Sequence, residues 1–166
     1  MIEAAAAPRQ VRGRPGMLLL TCLLCFGTEA IGWLLTAEGV RDWYPGIRKP
    51  SWTPPDWLFG PVWTVLFVLM AVSAWTFWGH AQGRALRLGG ALFLGQLVLN
   101  ALWSGLFFAA RSPGLAFAEI VVLWVAIAAT LVNFGRVSAV AAALLVPYLL
   151  WVSYAMALNG AIWWLN

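Results

Sequence analysis

Five long stretches of the chain, residues 17–36, 57–78, 88–110, 113–134 and 138–165, are almost uninterruptedly apolar, and only Glu29 and Glu119 place a charged group inside them. A helix needs about 20 such residues to cross the hydrocarbon core of a bilayer. None of the five shows the period-two alternation of an outer-membrane strand, so backbone groups that meet no water must be satisfied within helices. The pattern predicts an all-α integral membrane protein built as a bundle of five transmembrane helices. Short links between the last four spans predict antiparallel neighbours packed up and down. The link between the first two, residues 37–56, is long. Residues 1–16 read as a basic N-terminal tail and residues 17–166 as a single membrane domain.

Composition narrows this picture. Of 166 residues, 63% are apolar and 10% charged, with a mean hydropathy of +0.84. Those values exclude a disordered chain, a coiled coil and an ordinary soluble domain, and they leave no room for a separate soluble catalytic domain. Twelve Trp stand against six acidic residues. Each indole is a broad flat surface with one N–H that wants a partner, so the surplus points to aromatic walls as well as interfacial belts.

Arg9, Arg12 and Arg14 before an apolar run, with Thr28-Glu29-Ala30 after it, also fit a signal peptide. The acid at that site and the continuation of the run to Thr36 argue for a retained first helix. With five helices, one side carries six basic residues, Arg9, Arg12, Arg14, Arg84, Arg87 and Arg136, and the other carries four, Arg41, Arg48, Lys49 and Arg111. The split favours a cytoplasmic N-terminus and a C-terminus outside; the expected setting is a multi-pass protein of a bacterial cell membrane. A net charge of +4 suits basic flanks against anionic head groups. The charges are dispersed rather than striped, which speaks against nucleic-acid binding.

The polar side chains permit little conventional chemistry. Cys22 and Cys25 are spaced C-x-x-C but lie inside an apolar helix, where they read as small buried residues. His80 is the only histidine and ends the second span, so no centre with several imidazole ligands can form and no metal site is expected. No G-x-S-x-G, P-loop or H-E-x-x-H motif occurs. Glu29 and Glu119 have two readings: a proton or ligand site, or a neutral carboxyl hydrogen-bonded to a neighbouring helix.

More is carried by three stripes. Gln96, Asn100, Trp103 and Phe107 recur at helical spacing on the third span, and Tyr148, Trp151, Ala155 and Asn159 do so on the fifth. Pro147 on the fifth frees a backbone carbonyl, and Trp63 with Phe67 forms a shorter aromatic face on the second. The stripes either surround a flat apolar ligand or glue helices into a packed core. Small-residue ridges at Ala101, Gly105 and Ala109, and at Ala91 and Gly95, are candidate homodimer seams.

The long link runs Trp43-Tyr44-Pro45-Gly46-Ile47-Arg48-Lys49-Pro50-Ser51-Trp52-Thr53-Pro54-Pro55. Four prolines lower the entropy lost on fixing it, three aromatics give it area to seat on helix ends, and Arg41, Arg48 and Lys49 offer positive charge at the mouth, so it reads as an ordered lid over a pocket. This segment, followed by Trp63, resembles the tryptophan-rich sensory protein/translocator protein (TspO/MBR) family. Further matches are Gly95-Gln96-Leu97-Val98-Leu99-Asn100, Trp103, Phe107-Phe108-Ala109-Ala110-Arg111, Pro147-Tyr148-Leu149-Leu150-Trp151 and Leu158-Asn159, in one order from Trp43 to Asn159.

The resemblance implies a five-helix bundle, commonly a homodimer, that binds porphyrins such as protoporphyrin IX and in some members sterols and benzodiazepine-type drugs. It implies a cavity below the first loop lined by Tyr44, Trp52, Trp63, Phe67, Gln96, Asn100, Trp103, Tyr148, Trp151 and Ala155. Arg48 or Lys49 would stand at its mouth near the ligand's carboxylates. Trp63 and Trp151 match indoles implicated in light- and oxygen-dependent porphyrin degradation, which is the enzymatic alternative, and translocation of small hydrophobic ligands is another. Porphyrin is expected as a ligand, with no required cofactor, and the absence of a core histidine suits a metal-free tetrapyrrole. No basic residue follows Tyr154, as a sterol-recognition motif would need. Glu119 matches an acidic family position, whereas Glu29 matches none.

Overall fold

The computed structural model describes residues 15–166, so the basic tail with Arg9, Arg12 and Arg14 lies outside the described residues. Five helices form: α1 (Pro15–Asp42), α2 (Phe59–His80), α3 (Gly83–Ser104), α4 (Pro113–Gly135) and α5 (Ala139–Leu165). Each is long and apolar enough to cross a membrane, and no strand occurs among the described residues. Large apolar side chains such as Leu19, Leu23, Trp33, Leu34, Val98, Leu115, Leu150 and Trp164 point outward. In a soluble protein such a surface would aggregate, but here lipid covers it.

Two boundaries differ from those read off hydropathy. α1 continues six residues past Thr36, through polar Glu38, Arg41 and Asp42, and α3 begins at Gly83 rather than 88. Hydropathy marks where lipid ends, whereas a helix continues while its backbone bonds and neighbours hold. Arg41 Nε donates to the Ala37 carbonyl at 3.1 Å, and Glu38 pairs with Arg111 at 3.7 Å, which supports the extension. The lid is correspondingly shorter, spanning residues 43–58.

The helices close into a ring in the order α1, α2, α5, α4, α3. Sequence neighbours α2 and α3, joined only by Ala81 and Gln82, are therefore not packed flank to flank as the short link suggested; α1 lies between them on one side and α5 with α4 on the other. At the link end they meet through large side chains. There Phe77 of α2 stacks on Phe134 of α4, with centroids 3.9 Å apart and planes 4° from parallel. Phe93 of α3 lies 6.1 Å from Phe134, and Trp78 packs edge-on against Phe93. Gly89 makes room for this plug, since a Cβ at that position would fall on the Phe77 ring and on Asn133 Oδ1.

At the opposite end α3 changes character. Gly105–Ala109 form a π-helical turn, and the chain leaves through Arg111 at a φ of 51°. The widened turn pushes Phe107 and Phe108 toward α1 and the lid. Gly39 of α1 lies against the Phe108 backbone carbonyl so closely that a Cβ would overlap it. Of the candidate dimer ridges, Gly105 already faces Leu35 of α1. Ala91 and Gly95 are exposed, and the space beside Gly95 is open.

Gly39→Ala is expected to lower stability by about 1–3 kcal/mol, because the obstructing atoms are backbone and cannot rotate away. A lower midpoint of thermal unfolding in detergent would show it, and an unchanged midpoint would contradict the close approach. Arg111→Gly should leave stability unchanged or raise it by up to about 1 kcal/mol, since a left-handed φ costs a non-glycine residue more than an exposed ion pair returns.

Candidate functional site

The ring is filled at the Phe77 end and hollow at the lid end, where it encloses a cavity of about 440 Å³. Four helices, α1, α2, α3 with its π turn, and α5, contribute walls together with the lid, whereas α4 adds none. Indoles line it from α2, α5 and α3, Trp63, Trp151 and Trp103, and Trp33 of α1 joins them. Phe67, Phe59 and Phe107 continue the aromatic lining. Trp63 packs on Phe67 at 5.9 Å and edge-on to Tyr148 at 6.2 Å, while Trp151 packs on Phe59 and Tyr154. Interlocked rings lose rotamer freedom before any ligand arrives, so the walls are pre-formed.

Hydrogen bonds fix the polar members. Trp103 Nε1 donates to Asn159 Oδ1 at 3.0 Å, and Asn159 Nδ2 donates to the Pro113 carbonyl at 2.8 Å, so one α5 side chain ties α3 to the start of α4. Asn100 Nδ2 donates to the Tyr148 hydroxyl at 3.1 Å, which leaves the Asn100 carbonyl oxygen without a protein partner in the cavity wall.

The lid is ordered by contacts along its length. Lys49 Nζ donates to the Tyr44 carbonyl at 2.9 Å and lies 4.1 Å over the Tyr44 ring. Tyr154 donates to the Trp52 carbonyl at 2.8 Å, and Asn166 clamps Arg48 by accepting from its N–H and donating to its carbonyl, both at 3.0 Å. Trp43 meets Phe107 edge-on at 5.6 Å. Burial, with Asp56 and Tyr154 nearby, pushes the Tyr44 phenol up to about 12, so it stays protonated as a donor at any physiological pH.

Of the expected site residues, Tyr44, Trp63, Phe67, Asn100, Trp103, Trp151 and Ala155 come together around the cavity. Trp52, Gln96 and Tyr148 do not line it. Tyr148 is fully buried behind Trp63 and Asn100, Gln96 is buried with both amide atoms unpartnered, and Trp52 is half exposed on the outer face of the lid against Tyr154. Arg48 and Lys49 are absent from the lining as well; Lys49 Nζ is engaged with Tyr44, and Asn166 clamps the backbone of Arg48. Pro147 lies on the exposed face of α5, away from the cavity.

Sequence reasoning named Glu29 as a candidate ligand site and Arg41 as a mouth charge but did not join them into one α1 wall, and it overlooked Thr28, Gly32 and Thr36. The signal was the four-residue spacing of Thr28, Gly32 and Thr36. Arg41 is the cation that lines the cavity, with only its Nε engaged. Glu29 accepts a 2.6 Å hydrogen bond from Thr64 of α2, as a carboxyl bonded to a neighbouring helix should, whereas both Glu119 oxygens are buried and unpartnered. His80 is spent locally, its Nδ1–H donating to the Thr76 carbonyl at 2.8 Å. Among the described residues no three of His, Cys, Asp and Glu gather as a metal site would require.

Comparison with known proteins agrees with this architecture. The TspO/MBR family model matches residues 19–165. The chain is 42% identical to the tryptophan-rich protein TspO of Chlorobaculum tepidum over 152 residues, covering 90% of this chain and 96% of that one. It is 42% identical to the human translocator protein over 153 residues, covering 89% and 86%, and 39% identical to the protein CrtK of Rhodobacter capsulatus over 125 residues, covering 75% and 78%. A family match across nearly the whole chain, with relatives at this identity that the chain covers almost end to end, shows that this multi-pass membrane protein belongs to the TspO/MBR family.

Proposed function

We propose that the protein is a membrane receptor that binds a flat tetrapyrrole of the protoporphyrin IX type in the cavity under the lid. The observation that carries this reading is the convergence of Trp63, Trp103 and Trp151, from three different helices, on one pre-formed chamber of about 440 Å³. Its size and its mostly apolar, sparsely polar lining fit a small-molecule pocket. Stacking and dispersion against the indoles would supply most of the affinity, and the open carbonyl of Asn100 would help orient the ligand. Arg41 takes the role first expected of Arg48 and Lys49, since a guanidinium with four uncommitted N–H groups at the cavity suits the ligand's carboxylates.

Both indoles that the family resemblance links to porphyrin degradation stand in the cavity wall, each backed by a tyrosine ring. Photochemical breakdown of bound porphyrin is therefore the second reading, with the excited ligand and oxygen supplying the chemistry. A homodimer through the exposed Ala91 and Gly95 ridge is a further proposal, tested by the mass of the detergent-solubilised protein before and after Gly95→Leu.

Titrating the solubilised protein with protoporphyrin IX in the dark, followed by Trp fluorescence, should give saturable binding that weakens in a folded Trp63→Phe/Trp151→Phe variant. Quenching that is equal in both proteins and never saturates would end the receptor reading. Illumination that destroys porphyrin only with the native chain would establish degradation. Arg41→Gln should weaken binding of the free acid about 10-fold and leave the dimethyl ester unaffected, the loss expected for one charged hydrogen bond.

A further inference from the structure

Glu29 is the cavity-lining group that the porphyrin reading leaves unused. It sits midway along α1, twelve residues from Arg41, so about 18 Å of helix separates the two charged side chains. Thr64 of α2 donates its hydroxyl hydrogen to Glu29 Oε1 at 2.6 Å; its alternative acceptor, the Gly60 carbonyl, is 3.2 Å away. Among the described residues Glu29 forms no ion pair, and its Oε2 neither accepts a hydrogen bond nor is sealed from the surroundings. A carboxyl within a membrane span is costly unless it faces a partner or a cavity. Here one oxygen has its partner and the other remains open in a lining that includes Trp33, Trp63 and Phe67.

We infer that Glu29 is a second polar anchor of the cavity, whose free oxygen accepts an N–H donor, cationic or neutral, from a flat aromatic ligand. Thr64 is its positioning residue, holding the carboxyl in one rotamer. Aromatic faces in the same lining favour a cationic donor further, because a ring attracts a cation over its face when water is scarce. The cavity thereby becomes asymmetric, with a guanidinium toward the mouth for an acid and a carboxyl three turns deeper for an N–H. The inference rests on the reading that the cavity holds flat aromatic ligands, but not on the ligand being a porphyrin.

The test uses the full chain in detergent and two probes of matched shape, 9-aminoacridine, a planar N–H-bearing cation at neutral pH, and anthracene, its neutral counterpart. Glu29→Gln keeps the size and should weaken 9-aminoacridine about 10-fold or more while changing anthracene by less than about twofold. Thr64→Val, which leaves the carboxyl in place but unpinned, should weaken 9-aminoacridine by about threefold and spare anthracene. If Glu29→Gln does not fold, as judged by helical circular dichroism and melting, Glu29→Asp replaces it and should give an intermediate, probe-selective loss. Equal binding of 9-aminoacridine by native and Gln proteins, equal weakening of both probes, or no binding of 9-aminoacridine by the native chain would each overturn the inference. A parallel titration with protoporphyrin IX separates the two readings. Porphyrin binding without 9-aminoacridine binding removes this one alone, and Glu29-dependent binding of 9-aminoacridine without porphyrin binding removes the other.

Discussion

Lipid tails are as apolar as the side chains they touch, so nothing like the hydrophobic effect in water pulls five transmembrane helices into a ring. The ring must be held by close approach and by hydrogen bonds that have no competitor. Both are concentrated at its two ends. At one end Phe77, Phe93 and Phe134 interlock at the centre, with Gly89 giving up its side chain so that the Phe77 ring can enter. At the other, Asn159 accepts from Trp103 and donates to Pro113, so one amide spans three helices. Ser73 of α2 adds to the first end by donating to the Ala141 carbonyl of α5 at 2.6 Å, and midway along the bundle Trp124 of α4 donates to Ser153 of α5 at 2.8 Å.

The hollow follows from this arrangement. Three aromatic rings fill the axis at the link end, whereas at the lid end the bulky groups belong to the wall and lean on one another around an open centre. Trp63 leans on Tyr148, Trp151 on Phe59, and Trp103 on Phe107 at 5.3 Å. The π turn contributes by moving Phe107 and Phe108 out of the regular register of α3, where they contact Trp43 and Tyr44 of the lid. The lid is thus seated by the helix irregularity beneath it, and the prolines that shorten its conformational search act together with the Lys49, Trp52 and Arg48 contacts that complete it.

Much of this was legible in the sequence, and what was not has definite physical causes. Five spans follow from apolar length alone. Helical spacing correctly aligned Asn100, Trp103 and Phe107, and likewise Trp151, Ala155 and Asn159. Periodicity, however, gives the face of a helix and not the depth at which a cavity stops. Gln96 and Tyr148 share those faces but lie about one turn below the cavity floor, in the packed part of the bundle. Lys49 was read as standing near the ligand's carboxylates because a loop's internal hydrogen bond, here to the Tyr44 carbonyl, is invisible in one dimension, and so is the clamp of Asn166 on the Arg48 backbone. Ring order was hidden as well, since a two-residue link fixes where two helices meet and not whether they run side by side. On α1, Glu29 and Arg41 stood out singly, but the Thr28, Gly32 and Thr36 that join them into a wall are residue types common on any membrane helix.

The same geometry bears on whether such a bundle moves its ligand across the membrane. Alternating access by rocking needs two halves that can exchange contacts, and the chain shows no repeat from which such halves would be built. Passage along the axis would have to unstack Phe77 from Phe134 at 3.9 Å and displace Phe93, where Gly89 leaves no slack for the rings to retreat. Dense cores respond to such demands by switching between discrete arrangements rather than by stretching. The side toward lipid is less firmly closed, because Trp33 and Gly60 line the cavity and are exposed at the α1 and α2 walls. The Thr64 to Glu29 bond crosses between those two helices, so the polar contact that bridges the open side also presents a carboxylate oxygen to the cavity from α1. On the proposed reading, binding chemistry and access meet at one helix pair, and a ligand that engaged Glu29 would act on the same contact that holds α1 against α2.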